Sequence, residues 1–164
     1  MKPSLYVFAV LVVCGCSKSD KPEGFPKLYS ATVTIKQASK ELADATVRLV
    51  PLDASNIWAT GAVTDQQGKA VMRTHGRYPG APAGKYKVCV LKIVTEGAVA
   101  YSDIERGENP NLKDNPGETY HVVATDYDDP EKTPFELEIA AGKSTFEFNI
   151  PEAVKIVVPY GGVR

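Results

Sequence analysis

Short apolar runs with a period of two, each closed by a cluster of turn-forming residues, commit the segment from Leu28 to Ile150 to sheets rather than helices. Ala31, Val33 and Ile35 alternate with Thr32, Thr34 and Lys36, and Ala45, Val47 and Leu49 alternate with Thr46 and Arg48. That spacing puts one set of side chains on each face of an extended strand, so one face is buried while the other stays wet. A run from Ile57 to Thr64 leads through Asp65-Gln66-Gln67-Gly68 into a run from Lys69 to Thr74, which reads as a hairpin. Pro79 to Gly84 breaks regular structure before the longest run, Lys85 to Val94, whose Tyr86, Val88 and Val90 are expected to face the core. Tyr120 to Ala124, Phe135 to Ile139 and Thr145 to Ile150 follow, with Gly142 and Lys143 turning between the last two. About eight such strands predict an all-β fold, an antiparallel Greek-key sandwich.

The first residues obey a different rule. Lys2 precedes an apolar run from Leu5 to Val13, which ends in Val13-Cys14-Gly15-Cys16 and turns polar at Ser17-Lys18-Ser19-Asp20. A membrane-spanning helix needs roughly 20 apolar residues, and this run is too short. A positive start, a short apolar core and small residues before a cysteine make an export signal. The pattern resembles the bacterial lipobox, which implies cleavage before Cys16 and lipidation of its thiol. Residues 17 to 27 are polar with Pro22, Gly24 and Pro26, the composition of an extended spacer. The expected organisation is a signal peptide over 1–15, a lipidated N-terminus and linker over 16–27, a sandwich over 28–153, and a tail or edge strand over 154–164. The resemblance also bears on location: Asp beside the lipidated cysteine resembles an inner-membrane retention signal, and Ser17 in that place favours the outer membrane or cell surface.

Charge and cysteine usage exclude several classes. Lys2 leaves with the signal, so the 19 basic residues fall by one against 20 acidic ones, and no Lys/Arg block occurs. Nucleic acid is not an expected partner, attraction to anionic lipid is expected to be weak, and membrane attachment is expected to rest on the lipid anchor alone. Cys14 is lost with the signal and Cys16 is consumed by lipidation, which leaves Cys89 without an intramolecular partner. His75 and His121 lie far from each other and from Cys89, unlike the close spacings of zinc sites.

Three segments occur in a telling order: Ala31 to Ile35 followed by Lys40-Glu41-Leu42-Ala43-Asp44-Ala45-Thr46-Val47, then Thr64-Asp65-Gln66-Gln67-Gly68-Lys69, then Pro82-Ala83-Gly84-Lys85-Tyr86-Lys87-Val88. Together they resemble the carboxypeptidase regulatory-like domain, a transthyretin-like or prealbumin-like sandwich of bacterial surface proteins. The first segment departs from the family by lacking both glycines of its usual turn. Ala124 to Ile139 and Phe146 to Ile150 are similar to the closing hairpin of small lipoproteins built on this fold. The resemblance implies a non-enzymatic domain at the cell envelope, a binding or structural module contacting an envelope protein or a polysaccharide.

Candidate sites are few. Asp126, Asp128 and Asp129 cluster on one loop with Glu131 and offer oxygens to a hard cation such as calcium, although the spacing is not that of an EF-hand. A calcium-stabilised adhesion domain is therefore the alternative reading. Trp58, Tyr78, Tyr101 and Tyr127 offer aromatic faces on which sugar rings stack. The polar segment 95–118 interrupts the strand rhythm and is expected to be an inserted loop that serves as a contact surface. Cys89 is expected to be a buried, inert thiol. Transthyretin-like hydroxyisourate hydrolases end in Tyr-Arg-Gly-Ser and carry an early histidine, whereas here Tyr160 leads into Gly161-Gly162-Val163-Arg164. Only a convergence of His75, Arg48 and a tyrosine in one pocket would favour a degenerate hydrolase, so no catalytic residue is assigned.

Overall fold

The computed structural model describes residues 21–98, 117–142 and 144–158; the Cys16 lipobox, Tyr101 and most of the 95–118 insertion lie outside the described residues. Fifteen short strands run β1 (Leu28–Tyr29), β2 (Thr32–Gln37), β3 (Lys40–Glu41), β4 (Thr46–Pro51), β5 (Thr60–Val63), β6 (Lys69–Val71), β7 (Arg73–Thr74) and β8 (Tyr78–Pro79) in the first half. Then come β9 (Ala81–Pro82), β10 (Gly84–Leu91), β11 (Ile93–Glu96), β12 (Glu118–His121), β13 (Glu136–Ile139), β14 (Thr145–Ile150) and β15 (Ile156–Val157). One 3₁₀ turn at Thr125–Tyr127 is the helical element among the described residues.

The fold is the expected all-β sandwich. A six-stranded sheet of order β13-β10-β4-β5-β7-β8 packs on a second sheet in which β2 lies between β14 and β6. The alternating residues supply a single core: Val33 and Ile35 of β2, Phe146 and Ile150 of β14, and Ala70 of β6 meet Val47 and Leu49 of β4 and Tyr86, Val88 and Val90 of β10. Tyr86, Val88 and Val90 are fully buried, as their spacing predicts. At the turn before β4, Thr64 Oγ1 donates to the Leu42 carbonyl at 2.6 Å and accepts the Ala45 N–H at 2.8 Å, beside backbone bonds from Asp44 N–H to the Thr64 carbonyl and from Thr64 N–H to the Ala45 carbonyl.

Where the structure departs from the sequence reading, strands change sheets. The Asp65–Gly68 reversal is present, but its return arm is divided: β6 pairs with β2 in one layer, and after buried Met72 the chain continues as β7 beside β5 in the other. The run read as one strand from Lys85 to Val94 breaks at Lys92, where β10 ends and β11 leaves to pair with β12. β13 and β14 do not form the expected closing hairpin, because β13 pairs with β10 and β14 with β2 in the opposite layer. β2 and β14 are moreover parallel, an exception to the antiparallel pattern that follows from this crossing between layers. The switches after Val71 and at Lys92 each divide one predicted run into two short elements, which adds to the strand number.

β11 and β12, which flank the residues expected to be an insertion, belong to a separate three-stranded sheet of order β11-β12-β15, with the segment Ile156–Val157 as its edge strand. Glu96 and Glu118 face each other at the top of this stem, a like-charge pair that Lys155 offsets by approaching Glu96 at 2.9 Å. The Tyr120 hydroxyl also donates to Glu96, and the Lys155 ammonium lies 4.3 Å from the Tyr120 ring centroid. The Tyr120 hydroxyl first, and Lys155 second, hold the Glu96 carboxyl below its ordinary value of 4.5. A carboxyl depressed in the folded state adds stability above its unfolded pKa, and that contribution is lost as pH falls through the folded value. Amide protection in β11 and β12 is therefore expected to fall once pH drops below 4.5, and Glu96→Gln to show the weakened protection already at neutral pH in hydrogen-exchange measurements.

Candidate binding groove

The two outer faces of the sandwich differ in chemistry. That of the β2 sheet is polar, carrying Thr34, Lys36, Lys69 and Glu147 with a 2.8 Å Lys36–Glu147 ion pair. That of β4 and β5 is apolar and forms an open groove of about 540 Å³. Its floor is built by outward residues of the alternating pattern, Val50 on β4 and Gly61 and Val63 on β5, with Ala59 just before β5. Gly61 keeps the floor low, because a Cβ there would lie 2.8 Å from the Val47 carbonyl oxygen. Arg48 lines one part of the groove, and His75 and Gly76, from the turn between β7 and β8, line another. His75 holds a left-handed φ of 51°, and its N–H donates to the Ala59 carbonyl at 2.8 Å, which ties that turn to the floor.

Arg48 connects the groove to the acidic loop. Its guanidinium donates to Asp128 Oδ1 at 2.6 Å and to the Asp128 carbonyl at 3.0 Å, and this partner raises the Arg48 pKa. Lys132 lies 3.6 Å from Asp126 and 3.5 Å from Asp129, while Asp129 Oδ1 also accepts the Glu131 N–H at 2.9 Å. The carboxylates singled out for calcium are thus each engaged with a cation of the chain. Among the described residues no three His, Cys, Asp or Glu side chains gather as a metal set. A bound cation would have to displace Arg48 and Lys132.

This loop also explains Cys89. Residue 89 alternates with the inward Val88 and Val90 and pairs with Arg48 on β4, yet it is fully buried, and the turn at Thr125–Tyr127 packs against its strand β10. Burial pushes the thiol pKa up, and Arg48 opposes this only in part. Cys89 is expected to resist a disulfide reagent in the native chain and to react only on unfolding, which stopped-assay thiol counting with and without urea measures.

The aromatic residues divide into two groups. Trp58 and Tyr78 are brought together by Phe25 of the segment before β1, whose ring centroid is 4.9 Å from Trp58 and 4.6 Å from Tyr78. Trp58 also meets His75 edge-on at 5.3 Å, so this cluster adjoins the groove. Tyr127 belongs to another row, 5.1 Å from Phe135, which in turn lies 4.9 Å from Phe148 against the core beside edge strands β13 and β14. Trp58, Tyr78 and Tyr127 are half-buried and do not form one continuous platform. The segment expected to be an extended spacer turns back near its end, where the Phe25 N–H donates to the Pro22 carbonyl at 3.2 Å and the ring is seated. Pairing by aromatic contact outweighs the spacer composition of the residues around it.

His75 and Arg48 do share the groove, but among the described residues no tyrosine lines it. His121 lies on β12 in the stem sheet, and its buried Nδ1 has no hydrogen-bond partner. Ala59, Gly61 and Val63 were not among the sequence candidates; the signal was the run Ala59-Thr60-Gly61-Ala62-Val63, in which every outward residue is small and uncharged.

The chain matches no family model, and no curated protein matches it. Among solved structures it is similar to a 9R-lipoxygenase from Cyanothece PCC8801, at 12% identity over 83% of this chain and 19% of that one, with a TM-score of 0.34. The chain thus spans about a fifth of the lipoxygenase length, and a likeness of that size carries no conclusion about fold or activity.

Proposed function

We propose that this chain is a lipid-anchored module of the bacterial cell envelope that binds rather than catalyses, contacting an envelope protein or a polysaccharide through the outer face of its sandwich. The groove between Arg48 and His75 is the observation that supports this most. It is concave, apolar at its floor and polar at its rim, the composition of a recognition site, whereas the opposite outer face is polar and ion-paired. The lipobox at Cys16, the Ser17 beside it and the resemblance to carboxypeptidase regulatory-like lipoproteins support an extracytoplasmic location, at the outer membrane or cell surface. The insertion carried by the β11–β12 stem is a second contact surface. Catalysis is disfavoured because the Arg48 guanidinium is spent on Asp128 and the groove lacks the tyrosine of the hydrolase arrangement.

Val63 and Val71 allow a controlled test, since they are 59% and 58% exposed on opposite layers. A photo-reactive amino acid at position 63 is expected to crosslink a defined envelope component on intact cells, and the same group at position 71 is not. Val63→Arg is expected to abolish both that adduct and retention on a polysaccharide panel. Equal adducts from both positions, or none, would remove the groove from the reading. Incorporation of labelled palmitate into the wild-type chain but not Cys16→Ser tests the anchor separately.

A further inference from the structure

We propose that the end of the sandwich carrying Phe25, Trp58 and Tyr78 is a membrane-seating surface that rests on anionic phospholipid headgroups, so that the domain is docked on the bilayer and not merely tethered to it. The placement beside the membrane rests on the lipid-anchor reading; the surface itself is tested without the lipid.

The seated Phe25 ring determines where the chain leaves the domain. From Lys21 back to Cys16 the chain extends at most about 18 Å. A lipid on Cys16 therefore keeps the Phe25–Trp58–Tyr78 end next to the bilayer. Half-buried Trp and Tyr, each with an apolar body and a polar tip, are the residues that sit well at the headgroup level.

Cations gather at the same end, each above or beside a ring. The Lys21 ammonium is 5.6 Å from the Phe25 centroid, the Arg77 guanidinium 5.4 Å from Tyr78, and the Lys27 ammonium 5.2 Å from Tyr29. All three are exposed, and none forms a salt bridge among the described residues. Arg73 adds a fourth cation, its guanidinium shaping the β7–β8 turn by donating to the Gly76 and Arg77 carbonyls at 2.9 and 2.8 Å. Glu23 of the tether and Asp53 of the loop before β5 are the carboxylates on these segments. Elsewhere Lys36, Arg48, Lys87, Lys132 and Lys155 sit against carboxylates, while Lys40 on β3, Lys69 on β6 and Lys85 on β10 are exposed cations away from this end. A formal net charge of −1 for the whole chain conceals this local group of cations, which would add an electrostatic contact to the expected lipid anchor. Basic side chains held within a Debye length of an anionic leaflet are attracted to it, and salt screens that attraction.

Trp58 is the single tryptophan of the chain, so its emission reports this end directly. The chain from Ser17 onward, which carries no lipid and keeps every described residue, is mixed with vesicles of phosphatidylcholine alone or of phosphatidylcholine with phosphatidylglycerol. Co-sedimentation with the anionic vesicles only, a blue shift of Trp58 emission, quenching by brominated acyl chains and release by salt are expected. Lys21→Glu combined with Arg77→Glu weakens this binding about tenfold or more. Lys40→Glu combined with Lys69→Glu, at exposed cations of β3 and β6, leaves it unchanged. Failure of the unlipidated chain to bind anionic vesicles, or equal weakening by both pairs, would overturn the seating surface. Either failure leaves the lipid-anchor reading standing, because that reading is decided by palmitate incorporation at Cys16.

Discussion

Tyr86→Ala is expected to lower stability by about 4 kcal/mol, a fall of roughly 15 °C in Tm. Tyr86 is fully buried on β10, which lies between β13 and β4 and so has backbone partners on both sides. Truncation removes the largest fully buried side chain among the described residues and leaves a cavity that flanking strands, fixed by their ladders, are poorly able to fill. It also strips two polar partners: the Tyr86 hydroxyl donates to the Pro82 carbonyl at 2.9 Å and accepts from Asn56 Nδ2 at 2.9 Å. Burial pushes the hydroxyl pKa up, with the Asn56 bond opposing it, so the phenol stays neutral and available as a donor. Tyr86→Phe separates the two contributions, and with the ring kept the cost is expected to fall to about 1–2 kcal/mol. Urea unfolding of the two variants measures both, and equal losses would show that the hydrogen bonds, rather than packing, set the stability.

Gly68→Ala is expected to cost about 3 kcal/mol although it adds a single methyl group. Gly68 has φ +69°, a conformation unfavourable for any residue with a Cβ, and an added Cβ would lie 2.5 Å from the Ile35 carbonyl oxygen and 3.1 Å from the Leu42 nitrogen. Both are backbone atoms around the β2–β3 turn, so no side-chain rotation relieves the contact. The turn is locked from inside as well: Asp65 Oδ1 accepts the N–H groups of Gln67 and Lys69, each at 2.9 Å, and the Gly68 carbonyl accepts the Ile35 N–H at 2.8 Å. Gly142 provides the comparison, since at φ +88° a Cβ there meets nothing within 4 Å. Gly142→Ala is expected to cost only about 1 kcal/mol, the conformational part alone. Similar melting temperatures for the two variants would contradict the steric contribution.

These two residues also mark how far the chain could be read before folding. The inward face of each strand was legible, because the period of two is a local property: Tyr86, Val88 and Val90 are buried, and so are Val33, Ile35, Val47 and Leu49. The Asp65–Gly68 reversal was legible for the same reason, since a side-chain bond across a turn and a positive φ require particular residue types at particular positions. The groove was only partly visible, in Arg48 and His75, because its floor consists of small residues that carry no chemistry of their own.

Tertiary structure alone decided which layer each strand joins. The arms of the Asp65 turn read as one hairpin, and the strands either side of Gly142 as another, yet both connections pass between sheets. Alternation says which side chains turn inward and is silent on the backbone partner, which is chosen by packing among residues distant in the chain. Cys89 and the cations around Phe25 teach the same lesson for burial and charge. Cys89 alternates with the inward residues of β10 and is nonetheless buried, on a strand against which the turn some 35 residues later packs. Lys21, Lys27, Arg73 and Arg77 are spread through the sequence and come to one end of the fold where Phe25 packs on Trp58 and Tyr78. Sequence by itself determined the all-β pattern, the inward faces and the turns, since each depends on neighbours along the chain; sheet membership, the groove and the basic aromatic end depend on neighbours in space.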